Sequence, residues 1–123
     1  MAEILVVDDS RLSRRFLTTP LKQAGHSITE AVNGEEGLRA FEASSPELVV
    51  TDLLMPVMDG PTLLAHLRDR SQVPVIVVSA DIQESTRELV MQLGISSFLN
   101  KPFQAEQLLE AVNAALNTAE VPT

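Results

Sequence analysis

Three carboxylates, a hydroxyl and an ammonium each stand just after a short apolar run. Asp8 and Asp9 follow Ile-Leu-Val-Val, Asp52 follows Leu-Val-Val-Thr, Ser79 follows Pro-Val-Ile-Val-Val, and Lys101 follows Phe-Leu-Asn. Taken singly, each has a plain use. Asp9 or Ser10 can cap a helix, and Asp52 can cap a turn. Ser79 can be a strand-end hydroxyl, and Lys101 a solvated surface lysine. Gathered in one place, the plain uses fail. Two unit charges ~5 Å apart repel by about 3 kcal/mol at an effective dielectric of 20. Three carboxylates give three such repulsions, and one lysine cannot neutralise them. A divalent cation can, and hard oxygen ligands with open water positions suit magnesium. A cation beside a carboxylate nucleophile suits phosphoryl transfer, with Asp52 attacking phosphorus and the ammonium neutralising the transferred oxygens.

The elements that must gather these groups are legible. Apolar runs at Ile4–Val7, Leu48–Val50 and Val73–Val78, with weaker ones at Ser27–Ala31 and Ile95–Leu99, read as strands. The strongest do not alternate with polar residues, as expected of strands buried on both faces of a parallel sheet. Helical spacing separates them. Residues 10–24 form a first helix ended by Gly25, and Glu35 to Ala43 a second with Leu38 and Phe41 inward. Leu63, Leu64 and Leu67 mark a third after Gly60-Pro61; Leu89, Val90 and Leu93 mark a fourth that Gly94 ends. Ala105, Leu108, Leu109, Val112, Ala115 and Leu116 mark the last. Pro20 is expected to kink or shorten the first helix, because it lacks a backbone donor. Residues 117–123 are expected as a frayed tail.

Strand followed by helix, five times, predicts an α/β fold: a parallel sheet with helices on both faces and right-handed crossovers. Ligands of such sheets bind at the carboxyl ends of the strands. Asp8, Asp9, Asp52, Ser79 and Lys101 all fall at that end, so one pocket should hold them. Pro102 holds Lys101 in an extended backbone and gives its side chain a direction.

Composition narrows the function classes. The 123 residues make one domain, 1–123, with a core at about 3–117 and a short tail at 118–123. The formal charge of −8, from 17 acids against 9 bases, argues against direct nucleic-acid binding. Trp and Tyr are absent, so stacking platforms for single strands are not expected. There is no cysteine, which removes disulfides and thiolate chemistry. No apolar run approaches the ~20 residues of a membrane helix, and the start lacks a basic secretory region. The expectation is a cytoplasmic protein with no membrane contact.

The motifs ILVVDDS, TDLLMPVMDG, PVIVVSA and FLNKPF, in this order, resemble those of response regulator receiver domains of the CheY-like kind. The resemblance runs from Glu3 to about Leu116. It implies a (βα)5 doubly wound, flavodoxin/CheY-like sheet of strand order 2-1-3-4-5, acting in two-component signal transduction. It implies that Asp52 is the phosphoacceptor. Asp8, Asp9, Asp52 and the backbone carbonyl of Leu54 would hold Mg2+, with Mn2+ as a substitute. Lys101 would pair with the phosphoryl oxygens, Ser79 would follow the phosphoryl group, and Phe98 would be the switch aromatic. The Lys101-Pro102 bond is often cis in the family. Phe98 replaces a Tyr of the chemotaxis protein, and Leu54 and Asp81 stand where the family tunes dephosphorylation. The donor would be a histidine kinase or phosphotransfer protein. The output would be a downstream target protein reached through the face of helix four, strand five and helix five. With no output segment after the last helix, the chain reads as a stand-alone switch or a piece of a longer one. It would not be an enzyme beyond its own phosphorylation and dephosphorylation.

Two rivals are weaker. A phosphohydrolase of the haloacid-dehalogenase pattern wants a second Asp where Leu54 stands, and a cap domain. A degenerate receiver, used only as a binding module, would lose the acceptor or the lysine, and both are present. His26 and His66 lie away from the strand ends and are not expected to carry phosphate. Met55 and Met58 are expected to pack.

Overall fold

The computed structural model describes residues 2–80 and 83–120, with side chains through Asn117. Asp81 lies outside the described residues. The elements run β1 (Glu3–Val7), α1 (Arg11–Gln23), β2 (Ser27–Ala31), α2 (Gly34–Ser44), β3 (Leu48–Thr51), α3 (Gly60–Arg68), β4 (Val75–Ser79), α4 (Glu84–Leu93), β5 (Ser97–Asn100) and α5 (Ala105–Glu120). All strand pairings are parallel, in the order β2-β1-β3-β4-β5. This is the flavodoxin/CheY-like arrangement.

β1, β3 and β4 are buried on both faces, which is why these strands read as unbroken apolar runs. Ile4, Val6, Val50, Ile76 and Val78 face Leu17 and Leu21 of α1 and Leu108 and Val112 of α5. Leu5, Val7, Val49, Val75 and Val77 face Leu63, Leu64 and Leu67 of α3 and Val90 of α4. Neighbouring residues of one strand thus serve opposite layers, as the two-residue strand period requires. Met55 and Met58 pack against the second layer.

Local signals set most element ends. Ser10 caps α1 by accepting from the Ser13 N–H, Asn33 caps α2, and Asp59 caps α3. After α1, Gly25 takes φ 95°; its N–H bonds the Lys22 carbonyl, while the His26 N–H bonds that of Leu21. Gly94 ends α4 with φ 98°.

Three ends differ from expectation. α1 runs through Pro20 to Gln23 and is not shortened there. The buried Leu17 and Leu21 on either side anchor that turn to the sheet, and the Pro20 carbonyl still accepts from the Ala24 N–H. β4 begins at Val75 rather than Val73, because Pro74 can only accept in the ladder: its carbonyl takes the Val49 N–H. α5 continues to Glu120, into the stretch expected as a tail.

Candidate phosphoryl-transfer site

Asp52 follows directly on β3, the central strand. The ladder continues one residue past the strand, where the Asp52 N–H bonds the Val7 carbonyl. Its side chain is enclosed, and the residue is only 7% exposed. Oδ1 accepts from the Leu53 N–H at 2.6 Å and approaches the Leu54 N–H at 3.5 Å. Oδ2 lies 2.7 Å from Lys101 Nζ.

Asp8 leaves β1 in the same way, its N–H bonding the Ala31 carbonyl, and it is fully buried. Oδ1 accepts from the Ser10 N–H at 2.9 Å. Oδ2 accepts from Ser13 Oγ at 2.7 Å and from Lys101 Nζ at 2.9 Å. The Asp8 carbonyl takes Arg14 Nη1 at 2.8 Å. Ser10 therefore does the capping, and Asp8 faces the pocket. Asp9 is exposed at the pocket rim.

Lys101 bridges the two buried carboxylates. Burial disfavours its charged form, but hydrogen bonds and charges from Asp52 and Asp8 outweigh that, and its pKa is raised. A raised lysine pKa contributes stability that is fully present below the ordinary value and lost only as pH climbs above it. The Lys101-Pro102 bond is cis. Ser79 is buried at the end of β4, and its carbonyl accepts the Lys101 N–H at 3.0 Å. Phe98 pairs with Val77 in the sheet and packs half-buried beside the α2–α4 layer.

One carboxylate oxygen from each of Asp8, Asp9 and Asp52 lies within 4.8 Å of the others. Three hard oxygen donors at that spacing fit a divalent cation. His26 and His66 lie elsewhere, His26 leading into β2 and His66 on α3. His26 Nδ1 accepts the Ala2 N–H, a structural use.

Ser13, Arg14 and Gly60 also shape the site, and sequence reasoning did not single out the first two. The only hint for Ser13 is its place three residues after the cap. A Cβ on Gly60 would lie 2.3 Å from the Asp52 carbonyl oxygen and 2.7 Å from Leu53 Cα, so glycine lets α3 start against the backbone of Asp52 and Leu53.

The loop after Asp52 carries strain. Val57 has φ 68°, closing a three-residue turn in which the Met58 N–H bonds the Pro56 carbonyl at 2.7 Å. A β-branched residue is disfavoured there. Val57 is 75% exposed, so its side chain offsets little by packing. Val57→Asn is expected to stabilise the fold by about 1 kcal/mol. A urea midpoint that stays put or falls would contradict this.

The comparisons with known proteins agree with this fold. The model of the "Response regulator receiver domain" family matches residues 4–113. The chain is 36% identical over 121 residues to "Probable transcriptional regulator ycf27" of Cyanophora paradoxa, covering 98% of this chain and 51% of that protein. It is 38% identical over 116 residues to "Chemotaxis protein CheY" of Bacillus subtilis, covering 93% and 97%. It thus spans about half the length of the transcriptional regulators it matches and nearly all of the chemotaxis protein. The receiver domain of Francisella response regulator 1452 superposes with a TM-score of 0.90 at 29% identity, over 98% and 100% of the two chains. Vibrio cholerae CheY4 gives 0.88 at 28%, over 94% and 99%. No described helix is long and apolar enough to cross a membrane. Proteins of this group are generally signalling modules rather than turnover enzymes. With a family match over residues 4–113 and the sheet order β2-β1-β3-β4-β5, the chain belongs to the response regulator receiver domain family of two-component systems.

Proposed function

We propose that this chain is a phosphorylation switch: Asp52 accepts a phosphoryl group from a histidine kinase or phosphotransfer protein, and the face of α4, β5 and α5 then changes its affinity for a target protein. One observation carries the reading. A nearly enclosed carboxylate shares an ammonium with a second buried carboxylate at the tips of the sheet, an arrangement costly for structure alone.

Asp8, Asp9, Asp52 and the Leu54 carbonyl would hold Mg2+, and the bound cation would supply charge neutralisation to the transferred oxygens. The chain's own groups do the rest. The Leu53 N–H orients the Asp52 carboxylate. An Asp52 oxygen forms the new O–P bond as the donor's P–N bond breaks, its electron pair staying on the imidazole. Lys101 turns from Asp52 to the phosphoryl oxygens, a charge-assisted contact. Ser79, linked to Lys101 through the backbone, moves toward the same oxygens, and Phe98 takes the space it leaves. The test is an intact-mass measurement with a small phosphodonor and Mg2+. A phosphoryl gain that vanishes with chelator is expected; no gain would end the reading.

The donor's docking surface is read from α1. Leu12 and Phe16 are 63% and 61% exposed, and they line an open groove that reaches Lys101 and Phe103. α1 carries Arg11, Arg14, Arg15 and Lys22 with no acid, in a chain of net charge −8. This favours a donor surface that is apolar at its centre and acidic at its rim. Phe16→Asp should slow transfer at least tenfold from any histidine kinase able to phosphorylate the wild type, while mass gain from a small phosphodonor continues. Equal transfer from the kinase would place its docking site elsewhere.

A further inference from the structure

The Arg87 guanidinium stands over the Phe98 ring, 4.8 Å from its centroid. This is within the range of a cation–π attraction. The setting makes the contact informative. Arg87 is an exposed residue of α4 with acidic neighbours at Glu84 and Glu88, yet it forms no ion pair among the described residues. Phe98 lies on β5, half-buried, packed beside the same layer as Val90 and Leu93 of α4. The contact therefore ties the outer surface of α4 to the aromatic ring of β5.

We propose that Arg87 is a brake on the switch: its charge over the ring favours the position Phe98 holds now and opposes its inward move. The proposal rests on Phe98 being the residue that moves when Asp52 is phosphorylated. If the ring leaves Arg87, the attraction is lost, so the unphosphorylated conformation gains from it and the phosphorylated one does not. A ligand that selects the second conformation must overcome that difference. For an exposed pair the effect is about two- to fivefold in ligand affinity. Arg87 acts through Phe98 and touches no reacting atom, so it is a positioning residue.

The sign of the effect separates this from simple charge. Removing a positive charge should weaken the binding of any anion nearby, whereas releasing a brake should strengthen it. The experiment titrates beryllium fluoride, a tetrahedral phosphoryl mimic, with Mg2+ present, following backbone amide resonances of β5. Arg87→Met is expected to bind about two- to fivefold more tightly than wild type. Arg87→Lys, which keeps a cation for the ring, should stay close to wild type. In a Phe98→Leu background, which has no ring, Arg87→Met should change nothing, a double-mutant cycle that isolates the pair. Unchanged or weaker binding by Arg87→Met overturns the brake, as does an equal gain in the Phe98→Leu background. If wild type gives no more response than Asp52→Asn, the phospho-switch reading itself fails, and the brake with it.

Discussion

Asp52→Asn is expected to take up phosphoryl groups from a small phosphodonor at least 100-fold more slowly than wild type. The side chain keeps its shape, and the amide oxygen can still accept the Leu53 N–H that Oδ1 now holds at 2.6 Å. What disappears is the anionic nucleophile, since a neutral amide oxygen attacks phosphorus poorly. Among the described residues, no neighbour is placed to substitute. Asp8 is fully buried, with Oδ1 on the Ser10 N–H and Oδ2 on both Ser13 and Lys101. Asp9 is exposed at the rim, off the central strand. Intact mass after incubation with phosphodonor and Mg2+ reads the outcome, and a circular dichroism melt checks the fold. An undiminished gain would move the acceptor to another residue and dissolve the proposed function.

Lys101→Met should have the largest effect on stability. Lys101 is the one cation within 4.0 Å of both Asp8 and Asp52 among the described residues. Without it, two enclosed carboxylates face each other unpaired. Breaking a buried pair by removing one partner costs roughly 3–5 kcal/mol. Methionine fills much the same space, so a cavity adds little. Urea unfolding without metal should show a loss of about 3 kcal/mol. Mg2+ should then restore more stability to the variant than it adds to wild type, because ligand binding stabilises by mass action and the vacated carboxylates bind it more tightly. A loss below about 0.5 kcal/mol, within the range of ordinary surface changes, with no extra response to Mg2+, would show that the bridge is not holding this pocket together.

Both expectations concern residues far apart in the chain, which bears on what can be read without coordinates. The apolar runs, the helical spacing and the glycines after α1 and α4 are local features. Each depends on a few adjacent residues, so β1 through α5 were legible in order and type. The resulting alternation already implied a parallel sheet, and a parallel sheet places every strand's carboxyl end on one edge. That alone brought Asp8, Asp9, Asp52, Ser79 and Lys101 to a common site.

Local reading reached its limit where packing decides. Pro20 has the residue type of a helix breaker, yet Leu17 and Leu21 bury against the sheet and α1 continues. Asp8 and Asp9 are identical in type, and only the fold buries one and exposes the other. Gly60 looks like a turn residue in the sequence; the backbone of Asp52 and Leu53, pressed against it, is what excludes a side chain. The strain at Val57 and the Arg87–Phe98 contact leave no trace in any pattern of neighbours.

The amino-acid sequence by itself determined the fold class and which residue types meet at the sheet edge, because hydrophobic period and turn chemistry act over a few residues. Only the tertiary structure decided which oxygen meets which proton. The Lys101 bridge joins groups 93 and 49 residues apart, and contacts that distant are set by how whole layers pack, a property no short stretch of chain encodes.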